Sequence, residues 1–315
     1  MSAILFGIFQ FLMPELLGTR ASFSKRFPLA AEDEVGAAAR RNLRRLIQPF
    51  VLRRTKAQVL TELPQLTEIR RSVALSPPEA ALYETLRRAA IEKLAATPAA
   101  LGNGSANAKQ RSKDDPRDHF QVLAEITRLR RLCCHPELVA PGTSLAGSKL
   151  ASFLELVDEL IEGRHRALVF SQFVDMLAIV RRALDERKIA YQYLDGSTPQ
   201  PQRKTAVEAF QAGDGDLFLI SLRAGGFGLN LTAADYVIHL DPWWNPAVEA
   251  QASDRAHRIG QTRPVTVYRL VTTQTIEERI LELHRTKREL ADSLLEESDR
   301  AAKLSAEELR ALLDG

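Results

Sequence analysis

The run LFLISLRAGGFGLNLTAADYVIHLDPWWNP, residues 217–246, decides the fold. It opens and closes on short apolar runs, LFLIS at 217–221 and YVIHL at 236–240, with a glycine-rich turn between them. Continuous apolar runs of this length, bounded by turn residues, read as strands buried on both faces. Three more lie around them: RALVF at 166–170, AYQYL at 190–194 and VTVYRLV at 265–271. Helix-period segments separate the runs at about 149–162, 173–187, 200–212 and 246–258. Strands alternating with helices predict an α/β fold, a parallel sheet covered by helices on both sides. Ligands of such sheets bind at the carboxyl ends of the strands, so the loops after 170, 194, 221 and 240 are the places to look.

Upstream the pattern changes. Residues 4–17 read as an apolar helix, and 22–95 as helical segments punctuated by Pro28, Pro49, Pro64, Pro77 and Pro78. Residues 97–118 are small and polar and read as a flexible loop. A helix is expected at about 119–134, then a linker at 141–148. The run 4–17 is too short to cross a bilayer and lacks the basic start of a secretory signal.

The 315 residues carry a net charge of only +3, but unevenly. Residues 1–148 hold 22 basic against 14 acidic side chains; the remainder holds 21 against 26. A basic half joined to an acidic half is consistent with a polyanionic partner. With 45% hydrophobic residues, disorder throughout is excluded. The two cysteines, Cys133 and Cys134, are adjacent and offer no disulfide framework or zinc spacing, so buried packing is expected in a reducing compartment.

Four constellations carry chemistry. In SLRAGGFGLNLT at 221–232, Gly225, Gly226 and Gly228 let backbone N–H groups approach an anion, although glycine count alone favours a tight strand-to-helix connection. In QASDRAHRIGQ at 251–261, a helix ending near Gly260 would put Gln251, Arg255 and Arg258 on one face, where paired guanidiniums can clamp a phosphate or form a solvated salt-bridged surface. DPWWNP at 241–246 holds Trp243 and Trp244, which can stack on bases or pack a rigid turn. DGST at 195–198 offers hydroxyls that bond phosphates or cap a helix. No Walker A phosphate loop and no GxSxG nucleophile elbow is present.

Taken in order, these motifs, together with FSKRF at 23–27, IQPFVLRRTKAQVLTELP at 47–64 and LVFSQF at 168–173, resemble the Swi/Snf class of helicase-like ATPases in superfamily two. The resemblance runs from about residue 4 to 297. It implies a RecA-like C-terminal helicase lobe at 149–272, preceded by helical protrusions and linker at 28–148. Residues 1–27 would be the tail of a first lobe, and 273–315 a C-terminal brace helix and tail. The first lobe of this class carries Walker A and DExH groups; the Asp-Glu pairs at 33–34, 158–159 and 185–186 lack the DExH context, so that lobe is expected to be missing.

The resemblance also assigns roles. Arg255 and Arg258 match arginine fingers that reach the γ-phosphate, with Gln251 and Asp254 orienting them. Gly225, Gly226 and Gly228 match the loop coupling nucleotide to nucleic acid, with Asn230 and Thr232 as phosphate contacts and Arg223 where many members have lysine. Ser171, Gln172, Ser197 and Thr198 match contacts to one nucleic-acid strand, and Trp243 and Trp244 the motif joining DNA grip to the ATP cleft. The implied cofactor is ATP with Mg²⁺, bound mainly by the first lobe. The implied partners are double-stranded DNA, the first lobe in cis or in trans, and a DNA-bound protein such as RNA polymerase or a nucleosome, with no membrane. The location would be the nucleoid in a bacterium or the nucleus in a eukaryote. The expected function is the second motor lobe of an ATP-dependent translocase, inactive alone; the alternative is a non-enzymatic nucleic-acid- or protein-binding fragment or split subunit.

Overall fold

The structure, a computed structural model, describes residues 2–28, 34–51, 63–100, 116–222, 224, 229–282 and 312–313. It divides into two compact units, residues 1–61 with 298–300, and 62–297 with 301–315.

The first unit holds helices α1 (Ser2–Leu12), α2 (Arg20–Arg26) and α3 (Glu34–Ile47). Thr19 caps α2, its Oγ1 accepting from Ser22 N at 3.2 Å. Phe9, Leu17, Phe23, Phe27 and Leu43 form a small core.

In the second unit six parallel strands form one sheet: β1 (Leu66–Val73), β2 (Ala167–Ser171), β3 (Tyr191–Leu194), β4 (Leu217–Ser221), β5 (Tyr236–His239) and β6 (Val265–Thr272), in the order β1-β6-β5-β2-β4-β3. Helices α4 (Pro77–Ala100) and α5 (Pro116–Cys134) lie between β1 and the rest in sequence. Helix α6 (Ser148–Glu162) leads into β2; α7 (Val174–Glu186) and α8 (Gln200–Ala212) are crossovers; α9 (Pro246–Ser253) precedes β6.

Alternation along each strand builds two cores. Ala167, Val169, Leu217, Leu219 and Ile238 face α6 and α7 through Phe153, Val157, Met176 and Val180. Leu168, Phe170, Phe218, Ile220 and Val237 face the other way, onto Phe210 of α8 and Ala252 of α9. The period of two along a strand sends successive side chains to opposite layers. A third core, around Leu129, Ile126 and Tyr83, joins α4 and α5 to the start of a helix at 276–282.

The five strands expected from sequence lie within one residue of their observed bounds. Three expectations are corrected. First, the segment 22–95 contains β1, which pairs with β6 along its whole length. Second, residues 97–100 belong to α4 and 116–118 to α5, which shortens the expected loop; residues 101–115 lie outside the described residues. Third, α9 ends at Ser253, five residues short of the expected end. Its would-be continuation is diverted by tertiary partners: Leu231 N takes the carbonyl of Arg255 at 3.0 Å, and Gln261 Nε2 that of Ala256 at 3.1 Å. After Ser253 the backbone tightens to turns and bends, Arg255 N bonding to Ala252 O at 3.3 Å and Ala256 N to Ser253 O at 3.1 Å.

Among the described residues, the most deeply buried ion pair of this unit joins α6 to the segment after β6. Lys149 and Glu277 are both fully buried, with Nζ 2.6 Å from each carboxylate oxygen. Burial opposes the Lys149 charge, but Glu277 beside it holds the lysine pKa above its ordinary value. Glu277 also accepts from Thr272 N and Oγ1 at 2.9 and 2.8 Å, tying the helical start at 276–282 to the end of β6. Cys133 and Cys134 are buried, as expected, and burial pushes the Cys133 thiol up to about 12. Among the described residues no helix is long and apolar enough to cross a membrane.

Candidate nucleotide and nucleic-acid interface

From β2 the chain crosses outward to β3, returns to β4, and then passes to β5 on the other side of β2. The winding reverses between β2 and β5, and open α/β sheets bind ligands outside the strand ends at such a point. Ser171 ends β2, and Asp241 follows β5. Asp241 is fully buried and accepts from Ser171 Oγ and from the Gln172 amide. Burial raises the Asp241 pKa, opposed by Arg130 and the Ser171 hydrogen bond.

Arg130, on α5, closes this end of the sheet. It is 1% exposed, 3.9 Å from Asp241, and donates to the Pro242 carbonyl and to Gln172 Oε1 at 3.2 Å. Its guanidinium lies over the Trp244 ring at 5.0 Å and the Phe173 ring at 5.7 Å, cation–π distances. Arg130 Nε and Gln172 Nε2 are buried without a hydrogen-bond partner among the described residues. Sequence reasoning missed Arg130. The available signal was its helical spacing: it stands four residues from both Ile126 and Cys134, in an otherwise apolar stripe.

Ser171 is fully buried and engaged with Asp241, so it positions the loop rather than presenting its hydroxyl outward. Gln172 is half-buried beside it. The two tryptophans pack in different cores. Trp243 joins the layer beneath α8 and α9, and its backbone N–H donates to Glu249 Oε1 at 2.6 Å; Trp244 joins the α4–α5 layer. Asn245 caps α9 through Ala247 N at 3.0 Å.

A second group gathers around Arg255. Since α9 has ended, Gln251, Arg255 and Arg258 do not lie on one helical face, which corrects that expectation. Gln251 and Arg258 are exposed, and Asp254 caps the helix C-terminus. Arg255 is 5% exposed, and its Nε and Nη1 have no hydrogen-bond partner among the described residues. Burial, then the neighbouring Arg258 charge, lowers the Arg255 pKa. A desolvated guanidinium with unused donors beside a second cation is suited to an anion. Gln261 staples this turn to the end of the glycine-rich segment, donating to Thr232 O, Ala234 O and Ala256 O at 3.2, 2.8 and 3.1 Å. Asn230 is exposed beside it, and Thr232 Oγ1 lies 3.5 Å from Gln211 Nε2. Arg223, Gly225, Gly226 and Gly228 lie outside the described residues.

The third group is the DGST turn. Asp195 Oδ1 accepts from the amides and hydroxyls of both Ser197 and Thr198, and Oδ2 from Tyr193 Oη at 2.8 Å. Burial raises the Asp195 pKa, but these hydrogen bonds outweigh it and bring it down to about 2. Arg203 holds the turn by donating to Thr198 O at 2.7 Å and Asp195 O at 3.0 Å, and reaches Ala224 O at 3.4 Å. A carboxylate with a lowered folded pKa stabilises above its unfolded pKa, about 4, and ceases to do so as pH falls through the folded value. The stability difference between wild type and Asp195→Asn is therefore expected to be constant above about pH 5 and to shrink between about pH 4 and 2. Urea unfolding across that range measures it; a pH-independent difference would contradict the assignment.

Residues 3–138 match the SNF2-related domain, and residues 148–260 the helicase conserved C-terminal domain. The chain belongs to the Swi/Snf class of helicase-like ATPases, and its sheet is RecA-like. Among its relatives, YwqA of Bacillus subtilis is 37% identical over 316 residues, covering 98% of this chain and 32% of YwqA. The human SWI/SNF-related matrix-associated actin-dependent regulator of chromatin subfamily A member 1 is 32% identical over 326 residues, covering 97% of this chain and 29% of its own. The Sulfolobus solfataricus SWI2/SNF2 ATPase core in complex with dsDNA superposes with a TM-score of 0.61 at 31% identity, covering 98% of this chain and 63% of that one. The C-terminal domain of the Sulfolobus protein gives 0.58 at 28% identity, covering 79% of this chain and 99% of that one. The chain spans about a third or less of the curated relatives it matches.

Proposed function

We propose that this chain is the second motor lobe of an ATP-dependent double-stranded DNA translocase of the remodelling type, supplying Arg255 and Arg258 as arginine fingers. The observation that carries this reading is Arg255, buried beside Arg258 with Nε and Nη1 unpartnered among the described residues. ATP, with Mg²⁺ held mainly by the first lobe, supplies the phosphoanhydride whose hydrolysis drives the motor. Arg255 brings a desolvated, permanently charged donor set toward the γ-phosphate oxygens, where charge develops in the transition state. Gln261 ties the Arg255 turn to Thr232 and Ala234, which links the nucleotide end to the nucleic-acid end. Asn230, Thr232, Ser197, Thr198, Gln172 and Arg223 contact the phosphate backbone, with Ser171 and Asp241 fixing the loop behind them. Contacts of this kind bind DNA with little sequence preference and strong salt dependence.

The proposed boundaries follow the motifs: 1–27 as the tail of the first lobe, 28–148 as protrusions and linker with β1 joining the sheet, 149–272 as the motor lobe, and 273–315 as brace and tail. On α1, Ile8, Phe11 and Leu12 are 51%, 86% and 65% exposed, an apolar surface that the rest of a first lobe would cover.

The test is complementation. Neither this chain nor a separate first lobe carrying GxGKT and DExH is expected to release phosphate from ATP, and their mixture is expected to do so when duplex DNA is added. Turnover by the 315-residue chain alone would overturn the reading. Duplex binding with no turnover in any mixture would favour a non-enzymatic binding module.

A further inference from the structure

The third core of the second unit is completed from far along the chain. Leu312 and Leu313 are 7% and 1% exposed and lie in the same apolar cluster as Tyr83, Leu94, Val122, Ile126 and Ile280. Their main chain is held as firmly as their side chains. Arg87 Nη1 donates to Leu313 O at 2.7 Å, and Arg279 Nη1 to Leu312 O at 2.6 Å. Glu84 fixes Arg87 in place with two hydrogen bonds of 2.8 and 3.0 Å. Charge-assisted bonds to two consecutive carbonyls, together with two aliphatic side chains in a groove, are how a helical turn is recognised by its end and its apolar face at once. Beside the groove opens a cavity of about 270 Å³ lined by Leu75, Tyr83, Glu84, Arg87, Gln274 and Arg279.

The groove is wired to the sheet. Tyr83 Oη accepts from Ile276 N at 2.8 Å, at the start of the helix that carries Arg279. The next residue, Glu277, holds buried Lys149 and the end of β6. Whatever sits in the groove therefore bears on where the segment following β6 lies.

We propose that the groove formed by Tyr83, Arg87 and Arg279 is a peptide-binding site for an aliphatic pair on a helical turn, occupied in this chain by Leu312–Leu313. Seated there, the pair straps residues 276–282 to α4 and α5. Because occupant and groove share one chain, the local concentration is high, and the strap can release and reseat without leaving. The site is separate from the Arg255 and Asp241 groups and does not depend on the motor reading.

The experiment uses the whole chain and two altered forms, one carrying Leu312→Asp and Leu313→Asp, the other Arg87→Ala. Amide hydrogen exchange in α4 and at 276–282 is expected to rise at least about tenfold in both, because losing one charge-assisted bond alone is worth about that factor. A labelled synthetic peptide of residues 305–315 is then titrated into the double-aspartate chain, with fluorescence anisotropy as readout. It should bind saturably and restore protection, whereas a peptide carrying the two aspartates should do neither. If the double-aspartate chain fails to fold, the Arg87→Ala chain, which keeps both leucines, carries the exchange test. Unchanged exchange in Arg87→Ala, or a folded double-aspartate chain that ignores the wild-type peptide, overturns the proposal.

Discussion

Replacing Arg255 with alanine is expected to lower DNA-stimulated ATP turnover of the reconstituted two-lobe assembly by roughly 10³- to 10⁵-fold, the range measured for arginine fingers in phosphoryl transfer. The same substitution should leave the thermal stability of the isolated chain unchanged or slightly raised. Arg255 is buried with two guanidinium nitrogens unpartnered among the described residues, so truncation removes a desolvation cost and breaks no ion pair. That contrast separates a catalytic arginine from a structural one, whose loss would lower both. ATP affinity should change much less than turnover, because a finger acts on charge that develops only in the transition state. Arg258→Ala should have a smaller effect, since Arg258 is exposed. Wild-type turnover by the Arg255→Ala assembly would remove the finger assignment.

The largest expected effect on stability belongs to Lys149 and Glu277. Lys149→Met leaves the Glu277 carboxylate buried without its cation, and Glu277→Leu leaves the ammonium buried without its anion. Each is expected to cost about 3–5 kcal/mol, a fall in Tm of roughly 6–20 °C for a domain of this size. The double substitution Lys149→Met with Glu277→Leu should recover much of that loss but not all, because Thr272 N and Oγ1 also lose their acceptor. A double-mutant cycle by calorimetry measures the coupling. Single substitutions that cost under about 1 kcal/mol would mean that water reaches the pair.

Periodicity made most of the sheet legible because β2, β4 and β5 are buried on both faces and apolar up to their last residues, Ser171, Ser221 and His239. The strand it missed is the one for which that reason fails. In β1 the run LTEIRRSV carries Glu68, Arg70 and Arg71, and an edge strand with one neighbour tolerates them. Its charges are answered from elsewhere: Arg71 by Ser152 and Glu155 of α6, and Glu68 by Arg269 of β6. No local window contains those partners. The overlong α9 has the same origin, since nothing near Ser253 announces that Leu231 and Gln261 will take the carbonyls of Arg255 and Ala256.

The candidate site was legible as residue types in order, not as surfaces. Composition and spacing singled out Arg255, but only burial separates it from Arg258. Ser171 looks like Ser197 in sequence, yet one is inside the sheet's end and the other on an exposed turn. Spacing marks Arg130 as a charge in an apolar stripe, but its partners in the DPWWNP turn lie more than 100 residues away.

The position of β1 has a consequence for how the molecule is made. Among the described residues its only sheet partner is β6, and Leu66 stands opposite Val265, about 200 residues later. On a ribosome adding about 5–20 residues per second, β1 emerges roughly 10–40 s before its partner exists. During that interval β1 has no strand to pair with, while α4, α5 and the central strands can already assemble. Closure of the sheet thus waits for β6, and it joins segments about 200 residues apart in a single step. Pairings of such long range are slow to form and leave an edge open until they do. The charged face of β1, which hid the strand from periodicity, is the protection a nascent chain needs while that edge waits.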